Sequence, residues 1–334
     1  MLQRDWRLLW LFFCILFVVH ALGAPIISSE QLHQKYNVDY LFKYKYLNEM
    51  PTINDIDQII TGLKKFQEDV GLPVTGEMTK QTRDLMDRPR CGMTDMNDKS
   101  RRTKRFVPHH SKWRKRTLIW RLDDPYELLT DYDRFVVRTT LHRAFNEWSE
   151  ASQKALQFKE NENSTGIAHI NIFFAHGDHN DSLPFDGMAG VVAHGFYPTN
   201  GNLHFDAAEH WTLHMDNGIN LFQTAVHEIG HLLGLEHSTD YNAVMFPINR
   251  PYDPMFRLGD DDIRGIRYLY APWAWTACNI LIDTWENLIC IMLLRHCFFY
   301  LNVNLVERKA PDVHKVVELD ENFVATIFHL HVFD

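Results

Sequence analysis

Residues 227–237 read H-E-I-G-H-L-L-G-L-E-H, and this run constrains the chain more than any other segment. On a helix, His227 and His231 are four residues apart and project from one face, so two imidazoles can bind one metal ion. Gly234 can take a left-handed conformation and end the helix, which lets His237 approach the same ion from another direction. The spacing therefore predicts three histidine ligands around one zinc ion.

Three protein ligands leave the fourth zinc position open for water, which is typical of catalytic zinc, and Glu228 is the candidate general base. A helix with ordinary surface histidines would leave Glu228 and Gly234 unexplained. The run is followed by Ser238 and by A-V-M-F-P at residues 243–247, and together they resemble the matrix metalloproteinase branch of the metzincins. The resemblance implies that Met245 forms the Met-turn beneath the zinc.

A second signature is P-R-C-G-M-T-D at residues 89–95. A lone cysteine in an exported protein could pair with another chain, but a thiolate is also a strong zinc ligand. The segment resembles the pro-region motif of the same family, and G-L-P-V-T-G at residues 71–76 resembles a further pro-region stretch. The resemblance implies that Cys91 binds the catalytic zinc in the zymogen.

The order of segments predicts an exported zymogen. A basic start, an apolar run over residues 8–19 and small residues after it are typical of a cleaved secretory signal. The basic run R-R-T-K-R at residues 101–105 is either a solvated stretch or a site for a furin-like convertase; we expect cleavage between Arg105 and Phe106. Apolar residues at helical spacing over residues 56–70 predict a helical pro-region. We expect a signal peptide at 1–23, a propeptide at 24–105, a catalytic domain at 106–271 and a tail at 272–334.

Composition and charge limit the classes of partner that the chain is expected to bind. The net charge of −9 argues against nucleic acid or an anionic membrane. Five cysteines, three of them in the tail, do not make a disulfide-rich scaffold. The apolar stretch at residues 288–306 could anchor the chain, but Arg295 within it offsets the apolar gain. We expect no membrane anchor, and we recognise no hemopexin-like repeat in the tail.

The fold class implied by the resemblance is α+β: a metzincin catalytic domain with a twisted, mostly parallel five-stranded sheet and three helices, preceded by a small helical propeptide. Capping by Thr130 and Asp133, β-rich runs at 167–174 and 191–197, and a last helix within 257–270 agree with this. Three imidazoles and one carboxylate can fill a tetrahedron, as in a structural zinc site, and hard oxygen donors suit calcium. The family's structural zinc ligands match His179, Asp181, His194 and His204, and its calcium donors match Asp186, Gly187, Ala189, Val191, Asp206 and Glu209.

One departure concerns calcium. His169 stands where the family usually has an aspartate for a second calcium, and imidazole is a poor calcium ligand. We therefore expect two zinc ions and at least one calcium ion, without that second calcium site.

The predicted reaction is peptide-bond hydrolysis by zinc-activated water, with Glu228 moving the proton. Substrate is expected to lie extended along the edge strand near Val191, and Gln223 and Pro247 stand where the family lines the S1′ pocket. The resemblance implies secretion to the extracellular matrix, matrix proteins and gelatin as substrates, and tissue-inhibitor proteins as partners. Two alternatives stay open: another metzincin protease, such as an astacin or an adamalysin, and a catalytically silent secreted binding protein that keeps zinc for structure.

Overall fold

The computed structural model describes residues 29–52, 55–95, 108–162, 166–215 and 217–270. The predicted signal peptide, the cut site at Arg105 and Phe106, and the tail lie outside the described residues. Within these ranges, no helix is long and apolar enough to cross a membrane.

The N-terminal part of the described chain is helical. Its helices are α1 (Ser29–Tyr36), α2 (Val38–Lys43), α3 (Ile56–Asp69) and α4 (Lys80–Met86). The apolar stripe predicted over residues 56–70 is the buried face of α3, where Ile59, Leu63 and Phe66 are fully buried. This face packs with α2 into a hydrophobic cluster that also contains Phe246 and Ile248.

A six-stranded sheet follows, with the strand order β1-β5-β6-β4-β2-β3. The bounds are β1 (Arg90–Cys91), β2 (Thr117–Leu122), β3 (Gln157–Glu160), β4 (Ile170–Ala175), β5 (Val191–Gly195) and β6 (Asn202–Asp206). All neighbouring pairs are parallel except β5 with β6. A separate two-stranded sheet pairs β7 (Trp211–Thr212) with β8 (Ile219–Asn220).

Five of the six strands lie within residues 106–271, the number expected there, and the sixth comes from the segment before them. Strands β2 to β6 form the expected mostly parallel set, and β1 adds to its edge beside β5. Strand β1 has only two residues, and its sequence lacks the length and the alternation by which a strand is recognised. It is a strand only because the exposed edge of β5 supplies its hydrogen-bond partners.

Three helices complete the fold: α5 (Asp131–Ala151), α6 (Leu221–Leu232) and α7 (Asp260–Tyr270). The predicted cap is present, since Thr130 Oγ1 accepts from the backbone N–H of Asp133 in a capping box. One large cluster of buried apolar side chains joins the sheet to all three helices. Helices α5 and α6 are further tied by the Trp148 indole, which donates to the carbonyl of Val226 at 2.8 Å. This packing fixes α6, the helix that carries the predicted metal ligands.

Candidate metal centre

Helix α6 begins where the side chain of Asn220 accepts from the backbone N–H of Gln223 at 3.0 Å. It ends at Leu232, and Gly234 follows with φ +94°. The backbone N–H of Leu235 returns to the carbonyl of Gly230 at 3.0 Å, which turns the chain back towards the helix. The C-terminal turn predicted at Gly234 is therefore present.

The turn brings His237 next to His227 and His231. The centroids of the three rings lie 4.7 to 5.3 Å apart. The Sγ atom of Cys91 joins them, and one ligand atom from each of the four residues lies within 4.8 Å of the others. All four residues are buried. The structure therefore collects in one place the four residues that the sequence assigned to the catalytic zinc.

The hydrogen bonds of the three rings suit a metal ion. The Nδ1 atoms of His227 and His231 lie 2.6 and 2.7 Å from the carbonyl oxygens of Val244 and Leu235. A carbonyl only accepts, so Nδ1 carries the proton and Nε2 keeps its lone pair. The Nε2 atoms of His227 and His237 are buried without a hydrogen-bond partner. Such orphaned acceptors are costly unless a cation or a donor satisfies them, so the donor set fits zinc.

The pKa shifts of the three histidines also favour metal binding. Burial lowers the pKa of all three histidines, that of His227 to about 3, and repulsion between neighbouring rings adds to the effect for His227 and His231. The imidazoles are therefore neutral at pH 7, which is the form that binds metal.

Glu228 and Cys91 face each other beside the ligands. The Oε2 atom of Glu228 and the Nε2 atom of His231 each lie 3.5 Å from the Sγ atom of Cys91. Burial raises the pKa of Glu228 to about 8. Burial also raises the pKa of the Cys91 thiol, and the neighbouring Glu228 carboxylate adds to that shift.

The segment around Cys91 lies in a cleft between the edge of β5 on one side and the chain at Pro247 on the other. On one side, the backbone N–H groups of Arg90 and Gly92 donate to the carbonyls of Gly190 and Ala193, both at 2.8 Å. On the other side, the backbone N–H of Cys91 donates to the carbonyl of Pro247 at 3.1 Å. Gly92 is required because a Cβ atom there would lie 2.7 Å from the Val191 side chain. The edge of β5, predicted to pair with substrate, is thus occupied by β1.

The wall of the cleft on the Pro247 side contains the residues predicted for the S1′ pocket. Gln223, Thr224, Val244, Pro247 and Phe256 belong to its lining. The Gln223 amide donates to the carbonyl of Pro251 at 3.2 Å and accepts from the N–H of Asp253 at 2.6 Å. Gln223 therefore fastens the loop that follows Pro247, a role that its position alone did not indicate.

Met245 lies beneath α6, 2% exposed, against Gly230. No sequence pattern indicated which residues hold Met245 in place. The Asp262 carboxylate accepts from the N–H groups of Val244 and Met245 at 2.7 and 3.1 Å. Its neighbour Asp261 accepts from the Ser238 hydroxyl at 2.7 Å. The only sequence signal was an acidic start to the last helix, which capping explains equally well.

A second cluster has the composition of a structural zinc site. The Asp181 Oδ2 atom lies 2.8 to 2.9 Å from ring nitrogens of His179, His194 and His204. The four ligand atoms lie within 4.8 Å of one another, and the three histidines are buried. Burial lowers the pKa of His194 and lowers that of His204 to about 4, so both are neutral at pH 7. Strands β5 and β6 supply His194 and His204 as a cross-strand pair.

The predicted calcium donors surround the turn before β5. Asp186 accepts from the N–H of Val191 at 2.9 Å, and Asp206 accepts from the N–H of Gly187 at 3.2 Å. Burial raises the pKa of Asp206, and it raises that of Glu209 to about 7. Gly187 and Ala189 have positive φ angles. Among the described residues, the groups whose ligand atoms converge within 4.8 Å are the two clusters above, so the calcium set stays a prediction.

Comparisons with known proteins agree on one family. The family model described as matrixin, of the peptidase M10 group, matches residues 112–271. Matrilysin of Rattus norvegicus is 37% identical over 252 residues, which cover 74% of this chain and 88% of that protein. The metalloendoproteinase 1-MMP of Arabidopsis thaliana is 38% identical over 251 residues, covering 70% of this chain and 67% of that protein.

Matrix metalloproteinase-20 of Homo sapiens is 38% identical over 242 residues. The match covers 70% of this chain and 47% of that protein. The chain thus spans about half the length of some relatives and most of the length of others.

Proposed function

Because the chain belongs to the matrixin family, the matrix metalloproteinases, and is a metalloendopeptidase, we propose that it is the secreted zymogen of a zinc endopeptidase of the extracellular matrix. The observation that carries the proposal is the convergence of three neutral imidazoles, Glu228 and Cys91 on one buried point. The ligands in this proposal are His227, His231 and His237.

Zinc at this site would polarise the scissile carbonyl and lower the pKa of its water. Glu228 would take up the proton of the attacking water and later donate it to the leaving amine. Its complete burial beside the three ligands supports this role, because the carboxylate lies away from competing solvent. Burial lowers the pKa of the imidazoles, which keeps them neutral and able to bind a metal ion at neutral pH.

The substrates are proteins of the extracellular matrix and their unfolded forms, such as gelatin. An extended chain fits the cleft because both walls offer backbone groups, at Gly190 and Ala193 on one side and at Pro247 on the other. The P1′ side chain enters the pocket lined by Gln223 and Pro247. Tissue-inhibitor proteins are the expected inhibitors.

Latency comes from the pro-region. Cys91 occupies the fourth zinc position until a furin-like convertase cuts between Arg105 and Phe106. The proposal is supported by the position of the Cys91 Sγ atom among the three imidazoles. The residues His179, Asp181, His194 and His204 would hold a structural zinc, and the donors around the turn before β5 would hold a calcium ion. Both ions would stabilise the catalytic domain.

The test is Glu228→Gln in protein processed after Arg105. Zinc content should be unchanged because the three ligands remain, and kcat/KM on a quenched peptide should fall by about 10²- to 10⁴-fold. Glu150→Gln, on the exposed face of α5, is the matched control and should keep full activity. Near wild-type cleavage by Glu228→Gln would refute this assignment. Zinc-loaded wild type without activity on any peptide would favour the silent binding protein.

A further inference from the structure

The three candidate zinc ligands differ in what holds the far side of each ring. His227 and His231 use backbone carbonyls close to them in the fold, those of Val244 and Leu235. The Nδ1 atom of His237 lies 2.8 Å from a carboxylate oxygen of Asp95, 142 residues away in the chain. The third ligand is therefore held by the pro-region rather than by the catalytic domain.

Asp95 is firmly placed for this contact. Its side chain is 5% exposed and that of His237 is 2% exposed. The same carboxylate oxygen accepts from the Arg90 guanidinium at 2.5 Å. Arg90 is held in turn by the Tyr40 hydroxyl at 2.6 Å and by the ring of Tyr44, whose centroid is 3.4 Å from Cζ. A carboxylate fixed from behind in this way cannot turn away from the imidazole.

A carboxylate that accepts from the outer N–H of a ligating histidine fixes the tautomer and raises the basicity of the ligand. Asp95 has this relation to His237. The Arg90 guanidinium, which donates to the same carboxylate oxygen, supplies a buried counter-charge for Asp95. Loss of the pro-region would remove this partner from His237.

We propose that Asp95 is a positioning residue for His237, so that the pro-region retains the catalytic zinc through two separate residues, Cys91 as ligand and Asp95 behind the third ligand. The inference rests on the proposed function only in requiring zinc at the three histidines. It predicts that zymogen activation loosens the metal by more than the loss of the thiolate alone.

The experiment uses the full chain with Arg105→Ala, which keeps the pro-region attached. Zinc release to excess chromogenic chelator is timed with and without Asp95→Asn. Loss of such an outer partner lowers metal affinity by about 10- to 100-fold, and we expect a faster release of that order. Asp84→Asn, at an exposed pro-region carboxylate, is the matched control and should release zinc at the parent rate.

A second readout separates positioning from mere placement of Cys91. Cobalt(II)-loaded protein should show a thiolate-to-cobalt charge-transfer band from Cys91. We expect Asp95→Asn to keep this band while its metal is released faster. Unchanged release with the band intact would overturn the inference, and so would faster release accompanied by loss of the band, because Asp95 would then act through Cys91.

Removing Asp95 alone leaves Arg90 buried without its counter-charge and could unfold the pro-region. The double variant Arg90→Met with Asp95→Leu removes both charges and is judged by the same two readouts. Arg90→Lys keeps a counter-charge for Asp95, and with it the Asp95–His237 bond, and should release zinc more slowly than the double variant. A full-length chain that binds no zinc refutes the proposed function itself, an outcome distinct from zinc that binds but is released at an unchanged rate.

Discussion

Among single residues, Gly234 does most to let one short segment supply all three imidazoles. Its φ of +94° is unfavourable for any residue with a Cβ atom, and a Cβ there would also lie 2.7 Å from the carbonyl oxygen of Ser111. Two independent constraints therefore exclude other residues. Without this turn the chain could not bring His237 back beside His227.

His169 is the residue on which the expected absence of a second calcium site rests. Its Nδ1 accepts from the backbone N–H of Ile119 at 2.9 Å, and its Nε2 lies 2.9 Å from the Lys115 ammonium. Because Nδ1 accepts, the single proton of the neutral ring is on Nε2, beside the Lys115 charge. A second proton would have to displace the Ile119 hydrogen bond and would add a positive charge next to Lys115. Burial and then the Lys115 charge lower the pKa of His169 below its usual value.

The sign of the pH effect follows from that shift. Between the lowered folded pKa and about 6.5, the unfolded chain binds more protons than the folded chain, so this contribution to stability is complete above about pH 6.5 and is lost below it. His169→Asn keeps an acceptor for Ile119 but cannot titrate. Thermal unfolding at pH 7.5 and 5.5, with zinc and calcium present, should show a smaller loss of Tm for His169→Asn than for wild type. Exposed His214→Asn should behave as wild type, and equal losses for His169→Asn and wild type would contradict the prediction.

Among the elements, α6 is positioned by what lies under its one mid-helix glycine. Gly230 allows Met245 to pack directly against the helix, and a Cβ there would also lie 3.0 Å from the ring of Trp148 on α5. The same Trp148 donates to the carbonyl of Val226. The contacts with Met245 and Trp148 therefore fix the distance between α6 and the turn at Met245. They also fix the positions of the two histidines that α6 carries.

This packing predicts that Gly230→Ala is destabilising although alanine is the better helix former by about 1 kcal/mol. We expect a net loss of about 1 to 3 kcal/mol in urea unfolding, because an added methyl group overpacks a filled core. Met245→Ala opens the space that the methyl group needs. In a double-mutant cycle, Gly230→Ala should then cost less in the Met245→Ala background. The same cost in both backgrounds would show that Met245 does not limit the approach.

At the scale of the whole molecule, the proposed pro-region and the cleft share one hydrophobic cluster and one sheet edge. Phe246 and Ile248, which follow the Met-turn, are buried in the same cluster as the side chains of α2 and α3. The two also contribute to the pocket lining. Strand β1 bonds both walls of the cleft, through Arg90 and Gly92 on one side and Cys91 on the other. If the segment before Arg105 is removed as we propose, the cleft edge would open and the apolar residues beside the pocket would be uncovered.

Latency should therefore depend on Cys91 and on the pro-region together. Full-length Cys91→Ser exchanges a soft ligand for a weak one, and we expect activity without cleavage at Arg105, below that of processed enzyme because β1 still pairs with the cleft. Full-length Arg105→Ala should stay latent and respond to a thiol-reactive mercurial. Peptide cleavage assays with gels of the uncleaved chain decide both points. Folded, zinc-loaded and inactive Cys91→Ser would make steric blockage by the pro-region the better account.

Local sequence determined the parts of this protein that depend on near neighbours. The spacing of His227 and His231 and the stop at Gly234 follow from helix geometry, and the cap at Thr130 needs only the residue three positions on. These features were predicted from the chain, and the structure contains them. The overall matrixin assignment could be read in the same way, because its motifs are short and contiguous.

Tertiary structure alone decided the contacts between distant segments. No local pattern announces that two residues at Arg90 and Cys91 form a sixth strand, because the edge of β5 supplies their hydrogen bonds. Nor does any pattern pair Asp95 with His237 or Asp262 with the Met-turn, because each contact closes a loop whose ends meet only when the core has packed. Backbone geometry fixes what lies three or four residues away, whereas packing of the whole chain fixes what lies 142 residues away.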